Sequence, residues 1–362
     1  MKINLIFLQY FLLLTHVFAQ PKTNSTTSPV SKHGTLITEQ LTSKILQENR
    51  VNLDPIRTIK VYLPPGYASS GKSYPVVYYC HNIFYNPDRL FQDSKLVDLL
   101  DQGFANNIVK EFIFVAAEYS TASAGSLYEN SPISGRWLDF TVQELIPYID
   151  SKFRTLRQRE SRAITGDFMG GRGALKLAMS HAEVFSVAYA LHPVGTGRGN
   201  LPWSHVSIDW KKIHTAKSAA DIAGDGRAQI FVSVCQAALP NLSRPPFYCD
   251  FFVENINGEI KLNPEMIIKA KKEFHLEETL IESAPNLRSM RGIAFDWGRF
   301  DPNQDHVFSN REFSRRLEDL GVEHEAEEYR GTPFNKTWTD TGRFYTRVLP
   351  FLARHLVFES TN

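Results

Sequence analysis

The sequence predicts an α/β protein with a doubly wound, mainly parallel sheet, and three observations carry that prediction. Short runs such as Pro75 to Cys80, Phe112 to Ala117 and Val187 to Leu191 are apolar throughout instead of alternating. That is the pattern of strands covered by helices on both faces. Helical periodicities fall between these runs, which sets up a β-α-β rhythm. A glycine-rich stretch, Ile164 to Leu175, leads from one such strand straight into one such helix.

The elements follow in chain order. Lys2, the apolar run Leu5 to Leu14 and the small-residue ending Val17-Phe18-Ala19 read as a signal peptide over residues 1–19. The run is too short to span a bilayer. No membrane span is therefore expected after cleavage, and the expected location is secreted or periplasmic. Residues 20–33 are polar and Pro-rich and read as a flexible linker. One domain over 34–358 follows. It opens with two alternating strands, Thr35 to Thr42 and Arg57 to Leu63, the second ending at Pro64-Pro65-Gly66 as an edge hairpin would. The apolar strands 75–80, 112–117, 163–165, 187–191 and 293–295 alternate with helical patterns over 96–101, 137–153, 171–181, 310–320 and 343–355. Residues 195–283 break the rhythm and read as an insertion over the sheet's carboxyl edge, entered through Gly195-Thr196-Gly197. In such sheets that edge holds the binding crevice.

Composition narrows the function. Lys and Arg number 40 against 39 acids, and removal of residues 1–19 takes one Lys and no acid. No charge surplus is left to hold nucleic acid, so no nucleic-acid partner is expected. Three cysteines rule out a disulfide-dense scaffold. Cys235 and Cys249 are near enough in sequence to pair, while Cys80 ends a strand and reads as a buried small hydrophobe. Histidines and acids are scattered without metal-ligand spacing, so neither a metal nor a cofactor is expected.

The chemistry rests on four segments. Gly166-Asp167-Phe168-Met169-Gly170 resembles the nucleophile elbow of α/β-hydrolases, in which a G-x-S-x-G turn lifts a serine above the sheet. Tyr74 to Asn82 is similar to the strand and oxyanion loop of the esterase D-like family, with Asn82 where the family has glycine after His81. Asp296 to Asp301 resembles the segment that holds the acid, which the resemblance places at Asp301. The family's histidine follows the last strand, and Pro333 stands at that place. The resemblance covers roughly residues 35–356. It implies an α/β-hydrolase fold with a helical and loop insertion, carboxylic ester hydrolase ancestry, and a small-molecule ester or acylated carbohydrate as ligand.

The residues themselves then oppose serine chemistry. The Phe168 ring has no lone pair to attack a carbonyl, and a proline ring accepts no proton. The sequence is therefore read as a pseudoenzyme that has lost serine esterase activity and keeps a ligand crevice, with His81, Asn82, Asp167, Met169 and His192 as pocket candidates. The alternative is an active hydrolase or lyase using a relocated group, with His81, His192 or His306 as base.

Overall fold

The computed structural model describes residues 33–197, 207–334 and 337–359. The expected leader, and all of the linker except His33, lie outside the described residues. Eight strands form the central sheet: β1 Thr35–Thr42, β2 Ile56–Leu63, β3 Val76–Cys80, β4 Ile113–Ala117, β5 Arg162–Asp167, β6 Val187–Leu191, β7 Gly292–Gly298 and β8 Glu325–Tyr329. Their spatial order is β1-β2-β4-β3-β5-β6-β7-β8. The β1–β2 and β2–β4 pairs are antiparallel, and the other five are parallel. The expected edge hairpin and parallel strands are thus present.

The absence of alternation in the sequence has a direct structural cause. Along β3, Val76, Tyr78 and Cys80 enter one apolar core while Val77 and Tyr79 enter another, so every position is buried. The first core is closed by α3 (Ile146–Lys152), α4 (Met169–Ser180), α7 (Leu280–Arg288) and α8 (Gln304–Asp319). The second is closed by α1 (Pro87–Asp93), α2 (Leu96–Ala105) and α9 (Leu349–His355). Each fully buried Leu, Ile or Phe contributes about 1.5–3 kcal/mol of transfer free energy.

A third core belongs to the insertion. Its helices α5 (Gly226–Ala238) and α6 (Pro264–Phe274) are joined through the hairpin Val253–Ile256 and Glu259–Leu262. Phe231, Val232, Phe252 and Phe274 from this region pack with Leu127, Met169 and Val194, which belong to the segments around the elbow. The insertion therefore sits over the carboxyl ends of the strands. Cys80, Cys235 and Cys249 are all free thiols and all buried, so the possible Cys235–Cys249 pairing is not present. Among the described residues, no helix is long and apolar enough to cross a membrane.

Candidate active site

The site begins where β5 ends. Phe168 has φ 50° and ψ −113°, and α4 starts at the next residue. A bulky residue in that region costs of order 1–3 kcal/mol and persists only where its surroundings over-determine it. Here the surroundings are glycines. A Cβ on Gly170 would lie 1.9 Å from the Cys80 carbonyl oxygen, and one on Gly166 would lie 2.5 Å from it. Backbone presses on backbone at the elbow, and no side chain fits between. The Phe168 N–H donates to Leu191 O at 3.0 Å, and Arg172 N–H returns to Phe168 O at 3.0 Å. Arg172 is fully buried, pairs with Glu129 at 2.7 Å, and donates to the carbonyls of Leu127 and Phe274. It thereby ties the elbow helix to the insertion.

The half-buried Phe168 ring lies between two other rings. Phe334 stacks on it at 5.2 Å and 29°, and His192 meets it at 5.2 Å and 51°. Pro333, at the place of the family's histidine, is buried, but the ring that meets Phe168 belongs to Phe334. The chain turns at Pro333 so that its side chain faces inward and the following residue covers the elbow.

Behind the Phe168 ring is an acid with two histidines. Asp301 Oδ2 lies 2.6 Å from His192 Nε2 and 2.8 Å from His306 Nδ1. The hydrogen bonds fix the tautomers. Gly298 N–H donates to His192 Nδ1 at 3.0 Å, so that nitrogen carries the lone pair and Nε2–H donates to Asp301. Asn303 Nδ2 donates to His306 Nε2 at 3.0 Å, so His306 donates from Nδ1. Burial holds the His192 pKa below its ordinary value, against the pull of Asp301. For Asp301, burial alone would raise the pKa. The hydrogen bonds from His192 and His306 and the Asn303 N–H outweigh burial and hold the carboxyl below the usual carboxylate range.

His192, Asp301 and His306 bring three ligand-type atoms within 4.8 Å of one another. The donor set does not suit a cation. With Nδ1 already accepting the Gly298 N–H, a metal on His192 Nε2 would require the imidazolate anion. The two histidine contacts to Asp301 are hydrogen bonds that each need a proton.

The remaining candidates separate. His81 is buried with both nitrogens engaged, Nδ1–H to Asn82 O at 2.8 Å and Nε2 accepting Tyr119 N–H at 3.0 Å. It is a scaffold histidine that anchors the loop after β3. Asp167 accepts from Tyr79 Oη at 2.7 Å and from Asn82 Nδ2 at 3.2 Å, and burial raises its pKa. Its carboxyl is thus committed to β3 and the loop after it. Asp296, five residues before Asp301, takes Tyr189 Oη at 2.8 Å and Arg343 Nε at 2.9 Å, a buried pairing separate from the two histidines.

Met169 lines a cavity of about 240 Å³ together with Ile83, Phe168, Val194, Ile230, Phe231, Val234, Phe274, Asn303 and His306 among others. Neither the Ile83 nor the Met169 backbone N–H has a hydrogen-bond partner among the described residues. An elbow of this type uses those two positions, the residue after the nucleophile and the loop after β3, to stabilise an oxyanion. The sequence reading found Asp301 and His192 but did not pair them, and it left His306 without a partner. The signal for His306 was its place five residues after Asp301, across the start of α8. The insertion's contributions, Phe231 and Phe274, carried no signal, because only the packing of that segment brings them over the elbow.

A family model described as "Esterase: Putative esterase" matches residues 52–243. The chain is similar to Esterase MT1326 of Mycobacterium tuberculosis, with 33% identity over 132 residues. That match covers 36% of this chain and 27% of the relative, so most of the relative lies outside it. Among solved structures, a ferulic acid esterase superimposes with a TM-score of 0.60 at 20% identity, covering 90% of this chain and 99% of its own. The S-formylglutathione hydrolase FrmB of Staphylococcus aureus gives 0.56 at 14% identity, over 89% and 99% respectively. These two likenesses show the fold, an α/β-hydrolase sheet.

Proposed function

Proceeding from a chain that belongs to the esterase family of α/β-hydrolases, we propose that it binds a small ester or its carboxylic acid in the crevice over the elbow and forms no serine acyl-enzyme. One observation carries the reading. The strained elbow is kept, and the residue at its tip is a phenylalanine stacked between Phe334 and His192. A covalent acyl intermediate needs a nucleophilic oxygen or sulfur at that tip. A crevice with an apolar wall and two undirected backbone donors still accommodates an acyl or aryl body whose carbonyl meets Ile83 and Met169. The name of one similar protein, a ferulic acid esterase, supports a carboxylic ester as the parent ligand class, and that of the other, an S-formylglutathione hydrolase, fits a small acyl group. An acylated carbohydrate is one such ester. The leader expected at residues 1–19 supports a secreted or periplasmic site of action.

Titration calorimetry with short aryl esters and aromatic acids tests this. Saturable binding is expected, and Ile230→Trp should weaken it at least tenfold by filling the cavity from α5, where Ile230 is only half-buried. Equal affinity of the Ile230→Trp protein would contradict the proposed crevice.

A further inference from the structure

Phe168 excludes an acyl-enzyme but not direct attack by water, and the hydrogen-bond geometry narrows the possible bases to one. Of the three histidines that the sequence placed at the carboxyl edge, His81 has both nitrogens engaged with backbone. His192 has its lone pair on the Gly298 N–H and its proton on Asp301. Only His306 combines the two requirements of a general base. Its Nδ1–H is oriented by Asp301 at 2.8 Å, and its Nε2 accepts from the side-chain amide of Asn303 at 3.0 Å, a partner on the same cavity wall that rotation can release, whereas the lone pairs of His81 and His192 are held by backbone N–H groups. This is the acid–histidine half of a hydrolytic triad, with the acid after β7 and the histidine at the start of α8 instead of in the loop after β8.

We infer that His306, oriented by Asp301, acts as general base for water in the direct hydrolysis of a small carboxylic ester bound in this crevice. The inference rests on the crevice reading above. Water oxygen adds to the ester carbonyl carbon as its proton passes to His306 Nε2, and the carbonyl electron pair moves onto oxygen, facing the Ile83 and Met169 N–H groups. The tetrahedral intermediate collapses with cleavage of the bond to the leaving oxygen. That oxygen takes the proton from His306, which returns to the neutral form. The products are a carboxylic acid and an alcohol or phenol, and no bond to protein forms. Asn303 is a positioning residue, because its amide holds His306 Nε2 at the cavity wall until water replaces it.

Hydrolysis of phenyl acetate by the full chain, alongside binding of its slow amide analogue acetanilide, tests the inference. His306→Gln keeps an N–H for Asp301 but has no basic nitrogen, so kcat should fall about 10²–10⁴-fold with KM and acetanilide affinity unchanged. His306→Ala should lose the same activity and regain part of it in proportion to added imidazole. Unchanged turnover in His306→Gln overturns the inference, as does acetanilide binding with no turnover by the wild-type chain. Failure of acetanilide to bind overturns the crevice reading along with it.

Discussion

Protonating His192 would place a positive charge in a buried ring whose Nδ1 already faces an N–H donor, and the site resists it. The sign of the consequence follows from linkage. The folded-state pKa lies below the unfolded one, so below the unfolded value the unfolded chain takes up a proton that the folded chain refuses. Stability is then lost as pH falls, by up to about 1.4 kcal/mol per pH unit below the ordinary histidine value near 6.5. His192→Gln lacks that dependence. At pH 7.5 it should be about 2 kcal/mol less stable than wild type, since glutamine has no ring to pack on Phe168 while bridging the Gly298 N–H and Asp301. The gap should narrow between pH 7 and 5 in chemical denaturation, and a constant gap would show that His192 is protonated in the fold. Phe168 gives a second prediction at this scale. At φ 50° and ψ −113° the backbone suits glycine, so Phe168→Gly should be more stable than Phe168→Ala by about 1 kcal/mol, the reverse of their order in a helix. Of the residue-level detail, Asp301 was legible because the segment Asp296 to Asp301 resembles a known motif. The scaffold role of His81 was not, because its partners are the backbone of residues 82 and 119.

The elbow depends on glycine at the position where α4 crosses the end of β3. Gly170→Ala would bring a methyl within 1.9 Å of a backbone carbonyl that has no room to move, and the expected cost exceeds about 4 kcal/mol. Gly71→Ala meets nothing within 4 Å and should stay within about 0.5 kcal/mol of wild type, so the pair of melting curves separates close packing from a generic glycine effect. The strands were legible for an equally simple reason. β3, β4 and β6 are buried on both faces and read as unbroken apolar runs. The edge strand β8, Glu-Ala-Glu-Glu-Tyr, carries three acids on a largely solvated edge and gives no such run. Those charges blunt an open sheet edge, and Glu327 and Glu328 are paired with Arg343, Arg347, Arg299 and Arg311. Hydrogen bonds from those arginines outweigh burial, which acts in the opposite direction, and hold the two carboxyls at about 2. The insertion was legible as a break in rhythm over the sheet's carboxyl edge but its packing was not, because its helices bury their apolar faces against each other and the elbow rather than against the sheet.

At the scale of the whole molecule, an esterase-family framework carries three linked features at one edge of its sheet: Phe168 at the tip, Phe334 over it, and an acid held by two histidines behind it. The framework explains why the elbow survives without a nucleophile. The β3 contact, the buried Arg172 pairing and the insertion core all depend on α4 starting where it does. The fold was legible in the sequence because it is written in burial, which dozens of residues repeat. The site was only partly legible, because it is written in pairings such as Asp301 with His306, which the chain assembles in space. Intact-protein mass spectrometry after incubation with a fluorophosphonate, compared with an untreated sample, tests the central claim most directly. The account predicts an unmodified mass. A stoichiometric phosphonyl adduct, located to any serine lining the crevice, would show that a nucleophile persists and would contradict it.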